Sequence, residues 1–233
     1  YTPILAFVDP YSKNIDRVNT IAPSDKVNQY SKKGFTGLPQ NLFINNDGTF
    51  TVVSEEITVS TYSSSMGSST NTILGDMAIV NYSKTGEFIN DYFIRKSHFL
   101  SGMYLNPFYL SRREGTAQAL INGNQFKSFA YLNGTDKSYI LFNDTERNNE
   151  KQESGSLVTI KGVSESDGFY YTLTGSDEVP KRDYVFGDPA NKRDHNLGLF
   201  AISDYDKKNN IYTTLRLSNE SGKKGVQVVW LQP

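Results

Sequence analysis

Tyr104, Phe108 and Tyr109 stand close together in the stretch GMYLNPFYL, which is too apolar for an idle loop. Displayed aromatic rings stack on sugars or anchor protein partners, because a rigid planar face offers large contact area. These three are the candidate ligand-binding residues; the competing reading is that the segment folds back and plugs the core. Carboxylate pairs are the second kind of candidate: Glu55 with Glu56, Glu146 with Glu150, and Asp204 with Asp206. Glycoside hydrolysis needs an acid and a base or nucleophile flanking the scissile bond. Neighbours on a strand point to opposite faces, so Glu55 and Glu56 cannot act together. Asp204 and Asp206 can share a face but sit at a turn. Solvated charge is the plainer reading of all three pairs.

The two histidines, His98 and His195, lie in different regions, and no G-x-S-x-G elbow nominates a serine to join them. Surface or hydrogen-bonding histidines are expected. Asn45-Asn46-Asp47-Gly48 and Asp204-Tyr205-Asp206 are fragments of calcium-loop chemistry, in which hard oxygens ligate the ion. Neither has the full D-x-[DN]-x-[DN]-G pattern with a later Glu, so a plain turn is the better reading. Asp188 to Asp194 (DPANKRD) holds an ion or only turns. No metal and no cofactor is assigned. Asn-x-Ser/Thr triplets at Asn81, Asn133, Asn143 and Asn219 are what an Asn- and Ser-rich composition supplies by chance.

The elements that must position these residues are strands. A short apolar run, a polar turn and a second alternating run recur at Pro3 to Ile21, Gly75 to Ile94, Gly155 to Thr174 and Gly198 to Leu217. Each reads as an antiparallel hairpin, so the scaffold is repetitive and all-β. Asn41 to Glu56 and Phe126 to Asn143 are two more hairpins, turning at Asn45-Asn46-Asp47-Gly48 and Asn133-Gly134-Thr135-Asp136. Val226 to Leu231 is a last strand. The Asn41 hairpin precedes the Gly75 unit and the Phe126 hairpin precedes the Gly155 unit. Two hairpins make a four-stranded sheet, which is one propeller blade. The predicted fold is therefore an all-β, propeller-like array of antiparallel four-stranded blades in one domain over 1–233, with a β-sandwich as the alternative. The units supply three or four blades, few for a closed ring, and the chain is expected to be a trimmed or partial one that lacks a leader or earlier blades. Between the units, Ser111 to Leu120 is a weak helix candidate, Ser60 to Thr72 (STYSSSMGSSTNT) an exposed mobile loop, and Asp144 to Ser154 a similar charged one.

Composition narrows the class. Of 233 residues, 37% are apolar and 21% charged, which suits a folded chain with a polar surface. Tyr (15) and Phe (14) favour strands. Lys and Arg number 24 against 25 Asp and Glu, a balance that excludes a nucleic-acid scaffold with its basic excess. With 0 cysteines, disulfides, thiolate metal sites and a Cys nucleophile are excluded. No apolar run approaches the roughly 18 residues that span a bilayer.

Gly75-Asp76, Lys84, Gly86, and Leu141-Phe142-Asn143-Asp144 with Asn148 carry a resemblance. Over the middle half of the chain they resemble uncharacterised secreted propeller-like proteins of Bacteroidota, which have a "GDI-V-KL-K-GK" strand and a "LLFND--KN" strand end. Ile89 departs from the Trp that such proteins often carry after the turn. The resemblance implies a fold and an extracytoplasmic location, periplasmic or cell-surface, and no activity. Three functions are compatible with these readings: a non-enzymatic binding or scaffold module contacting a glycan or protein through loops on one face, a glycan-processing hydrolase with a carboxylate pair, and a structural domain of a larger surface protein.

Overall fold

The computed structural model describes residues 3–22, 24, 25, 27, 34–105, 120, 123–134, 137–174, 180–189 and 191–233. The all-β class holds. Among the described residues fourteen strands form antiparallel sheets that follow one another along the chain. The first sheet is the hairpin β1 (Ile4–Val8) and β2 (Ile15–Thr20). The second runs β3 (Leu38–Ile44), β4 (Phe50–Ser64), β5 (Gly67–Tyr82) and β6 (Phe88–Ile94) in spatial order, with β7 (His98–Leu100) also on β5. The third contains β8 (Phe129–Asn133), β9 (Ser138–Asp144), β10 (Asp167–Leu173) and β11 (Lys181–Tyr184), each beside its sequence neighbour. The fourth is β12 (His195–Asp206), β13 (Ile211–Glu220) and β14 (Lys223–Leu231).

Side-chain alternation stacks the sheets in chain order. Successive strand residues face opposite ways, so a strand apolar at every position is covered on both faces. In the second sheet Val52, Val80 and Tyr82 meet Leu5 and Ile21 of the first. Their neighbours Val53, Met77 and Ile79 meet Ile140, Phe142 and Tyr171 of the third. In the third sheet Leu132 and Leu141 turn the other way, onto Phe200 and Tyr212 of the fourth. Gly86 makes the first junction possible: it holds φ +80, and an added Cβ would lie 2.7 Å from the Phe7 ring and from the Asn19 amide. Among the described residues the stack is open, with no closed ring or barrel, and no helix is long and apolar enough to cross a membrane.

Three expectations are corrected. The Gly155 unit is not a hairpin. Its first half crosses to the second sheet, because Ile160 exchanges backbone hydrogen bonds with Ser97 and Phe99 (both 2.9 Å) while Asn148 takes the Val158 N–H at 2.7 Å. The strand Phe169 to Leu173 pairs instead with β9 and with β11. Ser60 to Thr72 is not a loop but the far end of the β4–β5 hairpin, in unbroken register from Ile57 opposite Leu74 to Ser64 opposite Gly67. Threonines favour strands, and cross-strand hydroxyls pair on them, as Thr61 and Thr70 do at 3.1 Å. Asp144 to Ser154 begins in β9 and continues as 3₁₀ helix over Glu146–Lys151, with Asp144 and Asn148 buried. The helix candidate Ser111 to Leu120 lies outside the described residues except for Leu120.

Candidate functional site

Hairpin turns of the second, third and fourth sheets gather at one rim of the stack. The turns at 45–49, 83–87 and 207–210, with Gly134 and Lys137, meet there, and the first sheet joins them through Asn19. Asn19 donates to the Gly86 carbonyl (3.0 Å), Tyr205 to the Asn133 carbonyl (3.1 Å) and Lys207 to the Ile44 carbonyl (3.3 Å). Between the second and third sheets the rim opens into a cleft of about 380 Å³. Its walls carry Asn45, Asn81, Asn90, Asn133, Tyr92 and Tyr131, with Lys137 at the mouth.

The amides and hydroxyls form one continuous chain. Asn81 donates to Asn90 Oδ1 (2.8 Å), Thr51 donates to Asn81 Oδ1 (2.7 Å), and Asn45 donates to Thr51 (3.1 Å) and Thr49 (2.9 Å). On the third sheet Ser138 donates to Asn133 Oδ1 at 3.1 Å. Tyr131 links the halves, with its hydroxyl 3.0 Å from Thr51 Oγ1 and 3.1 Å from Ser138 Oγ. Thr51 Oγ1 accepts the Asn45 amide and gives its own proton to Asn81, and Tyr131 donates to Ser138 Oγ, so both hydroxyls are satisfied. Asn45 Oδ1 is a buried acceptor with no partner. The lining is rich in amides, which both donate and accept hydrogen bonds. Burial raises the Tyr131 hydroxyl above its ordinary pKa, which keeps that proton in place.

The other candidates are dispersed. Tyr104 is 67% exposed, while its neighbour Leu105 is buried in the main core and takes the Thr72 hydroxyl as acceptor at 3.3 Å. Exposure and burial thus fall on adjacent residues of this stretch. Tyr104 adjoins the Thr72 end of β5, roughly 30 Å along the strand from the cleft at Tyr82. Phe108 and Tyr109 lie outside the described residues.

His98 is fully buried, with Nδ1 3.1 Å from the Lys127 carbonyl and Nε2 2.7 Å from the Asn143 carbonyl. Burial, and after it the Lys96 charge, holds its pKa well below the ordinary value. His195 Nδ1 lies 3.3 Å from Asp167 Oδ2, and neither ring contacts a serine in a triad arrangement among the described contacts. Glu55 points inward to Lys96, whereas Glu56 accepts from Thr36 N–H (3.0 Å) and its hydroxyl (3.1 Å). Glu146 pairs with Arg182 at 3.1 Å. Asp47 and Asp206 close their own turns, accepting from Thr49 N–H (3.0 Å) and Lys208 N–H (3.0 Å). Those hydrogen bonds, with the side-chain bonds of Thr49 and Asn209 leading, lower both carboxyls below their ordinary pKa. Asp194 accepts from Ser221 N–H (2.8 Å). Among the described residues no three His, Asp or Glu side chains converge on a point where a metal ion would sit.

The cleft is not legible in the sequence, where Asn45, Asn81 and Asn133 read as turn or glycosylation-type residues. The 45–49 turn with β5 and β6 of one sheet and β8, β9 and β10 of another supply it, and only the stacking register brings them together. No family model, curated protein or solved structure matches the chain.

Proposed function

We propose that the protein is a non-enzymatic binding module that holds a neutral, hydroxyl-rich glycan in the Asn- and Tyr-lined cleft at its rim. The observation that carries this reading is the lining: Asn45, Asn46, Asn81, Asn90 and Asn133 line one cleft in which Asp47 is the one carboxylate among the described residues. Sugar hydroxyls both donate and accept, as the asparagine amides of the lining do. The volume suits one or two sugar rings. Hydrolysis is less well supported, since Asp47 is the one carboxylate among the described lining residues and two are needed. The four sheets serve as a propeller-like arc of blades whose tips carry the site. Location outside the cytoplasm fits a chain with 0 cysteines, for which an oxidising compartment holds no hazard.

Titration of the isotope-labelled protein with neutral oligosaccharides tests the reading. Saturable shifts at Asn45, Asn90 and Lys137 are expected, with an affinity loss of about tenfold for Asn90→Ala. A panel that leaves those resonances unmoved, or that moves only the region around Tyr104, overturns it. A role as structural part of a larger assembly is favoured by a separate observation, the apolar faces at both ends of the stack.

A further inference from the structure

A separate cleft, of about 430 Å³, lies on the fourth sheet at the end away from the rim. Strand register builds its floor. Leu197 on β12 pairs with Leu217 on β13, and Leu217 with Val226 on β14, so the three stand side by side on one face. Asn219 pairs with Lys224, and each lies two residues from a floor residue on its own strand, so both share that face. They put a polar edge beside the apolar floor. The 3₁₀ turn Val163–Glu165 supplies a wall through Val163 and Ser164. Leu197 is buried against Phe126 and Ile160, which fixes the floor to the body of the molecule. Lys224 is the one ionisable side chain among the described lining residues, and no carboxylate pairs with it among the described ion pairs. Glu220, the one carboxylate of β13, lies on the opposite face and holds Arg216 at 2.5 Å. Asn219 keeps its Oδ1 buried and unpartnered, and an amide offers a head group a donor as well as an acceptor.

We propose that this cleft binds a medium-chain carboxylate. The head group pairs with Lys224 and accepts from the Asn219 amide, and the acyl chain crosses Val226 and Leu217 to end against Leu197 and Val163. Strands about 4.8 Å apart give a floor of three strands a width of roughly 10 Å, the reach of about eight carbons in an extended chain. One cation suits one negative charge: a phosphate dianion would hold a second charge unpaired beside apolar side chains. Concavity sets the site apart from the open strand faces of the molecule, because its floor, its wall and its polar edge come from different elements.

The isotope-labelled protein is titrated with hexanoate, octanoate and octanol, each below its micelle or solubility limit. Octanoate is expected to give saturable shifts at Leu197, Leu217, Asn219 and Val226. Affinity is expected to rise about tenfold from hexanoate to octanoate, as two more methylenes leave water. Octanol, with the same chain and no charge, is expected to bind about fivefold more weakly than octanoate. Lys224→Gln is expected to lose about fivefold for octanoate and nothing for octanol, which separates the head-group contact from the chain contact. Val226→Asp sets a carboxylate on the floor beside the head group and is expected to abolish octanoate binding. Val226 is exposed, and the spectrum of the variant shows whether the sheet is intact; should it fail to fold, Val163→Asp on the wall replaces it. Absence of saturable shifts at the four residues overturns the inference. So does octanol binding as tightly as octanoate, or a Lys224→Gln variant that binds both unchanged. Shifts that spread equally to Ile15 and Trp230 overturn it as well, since they would mean adsorption on any exposed apolar side chain. The outcome is independent of the glycan reading, because no residue of the rim cleft is altered.

Discussion

Glu55 and Lys96 form an ion pair in which both side chains are fully buried, Glu55 on β4 and Lys96 just beyond β6, at the floor of the core between the second and third sheets. The lysine's own backbone N–H donates to Asp76 Oδ1 at 3.0 Å, so one residue ties three strands. A buried pair holds little net energy relative to an apolar replacement, but removing one member strands the other charge. Lys96→Met is therefore expected to destabilise by about 3–5 kcal/mol, and Glu55→Leu/Lys96→Met to recover most of that loss. Urea unfolding of both variants measures it. A double variant no better than the single one would show that the pair is not acting as a unit.

Asp76 gives a pH dependence. Burial raises its carboxyl from 3.8 to about 6, against the opposing Lys96 hydrogen bond. The unfolded chain releases this proton first, so the folded state holds more protons between the two values, and stability falls as pH climbs through that window. The contribution is complete below about 4 and lost by about 7. Asp76→Asn keeps the acceptor and removes the titration. Relative to wild type it is expected to gain on the order of 1–3 kcal/mol between pH 4 and pH 7. Unfolding free energies at the two pH values decide it, and an unchanged difference rejects the assignment. Asp144, raised to about 6 in the same way, is present in both proteins and cancels.

Asn143 is the clamp between the third and fourth sheets. Its amide donates to the Gly198 carbonyl (2.7 Å) and the Phe126 carbonyl (2.5 Å), and its Oδ1 accepts the Gly198 N–H (2.8 Å). All of these groups are buried. Asn143→Ala leaves a buried N–H and two carbonyls without partners, an expected loss on the order of 3 kcal/mol. Hydrogen exchange locates the effect: protection is expected to fall at Gly198 and along β12 before it falls in the second sheet. Uniform loss across all sheets would contradict the clamp.

Local chemistry was legible in the sequence, and long-range chemistry was not. Asp47-Gly48 and Lys84-Thr85-Gly86 announced their turns because positive φ needs glycine, and Gly48 and Gly86 sit at +82 and +80. Alternation in Phe169 to Leu173 announced a strand but not its partner, since register is set by neighbours far away in the chain. Asn143, Asp144 and Asn148 read as the polar end of a strand. They are instead the buried polar group that joins β9 to Arg182, Val158 and Gly198, with Arg182 2.9 Å from Asp144. Polar residues that serve the core look like surface residues until their partners are known. The Ser-rich run failed for the opposite reason: its composition resembles a linker, while its hydroxyls and threonines pair well across a hairpin.

That hairpin is also where the fold ought to tolerate the largest change. Beyond the Ser60–Asn71 pair the β4–β5 ribbon touches no core cluster, and Tyr62 and Met66 at its tip are exposed. The anchoring contacts lie below this point: Asn71 Oδ1 accepts the Gly102 N–H at 3.1 Å and Thr72 donates to the Met103 carbonyl at 2.7 Å. An isolated two-stranded ribbon is marginal by itself, and its backbone groups exchange readily with water. Replacing residues 61–70 by Asn-Gly, a favoured two-residue hairpin turn, is expected to change unfolding free energy by less than about 1 kcal/mol. Thermal and urea unfolding of the shortened chain measure this. A loss as large as that from a core substitution would mean that the ribbon is packed against the body of the molecule and that its length serves the fold.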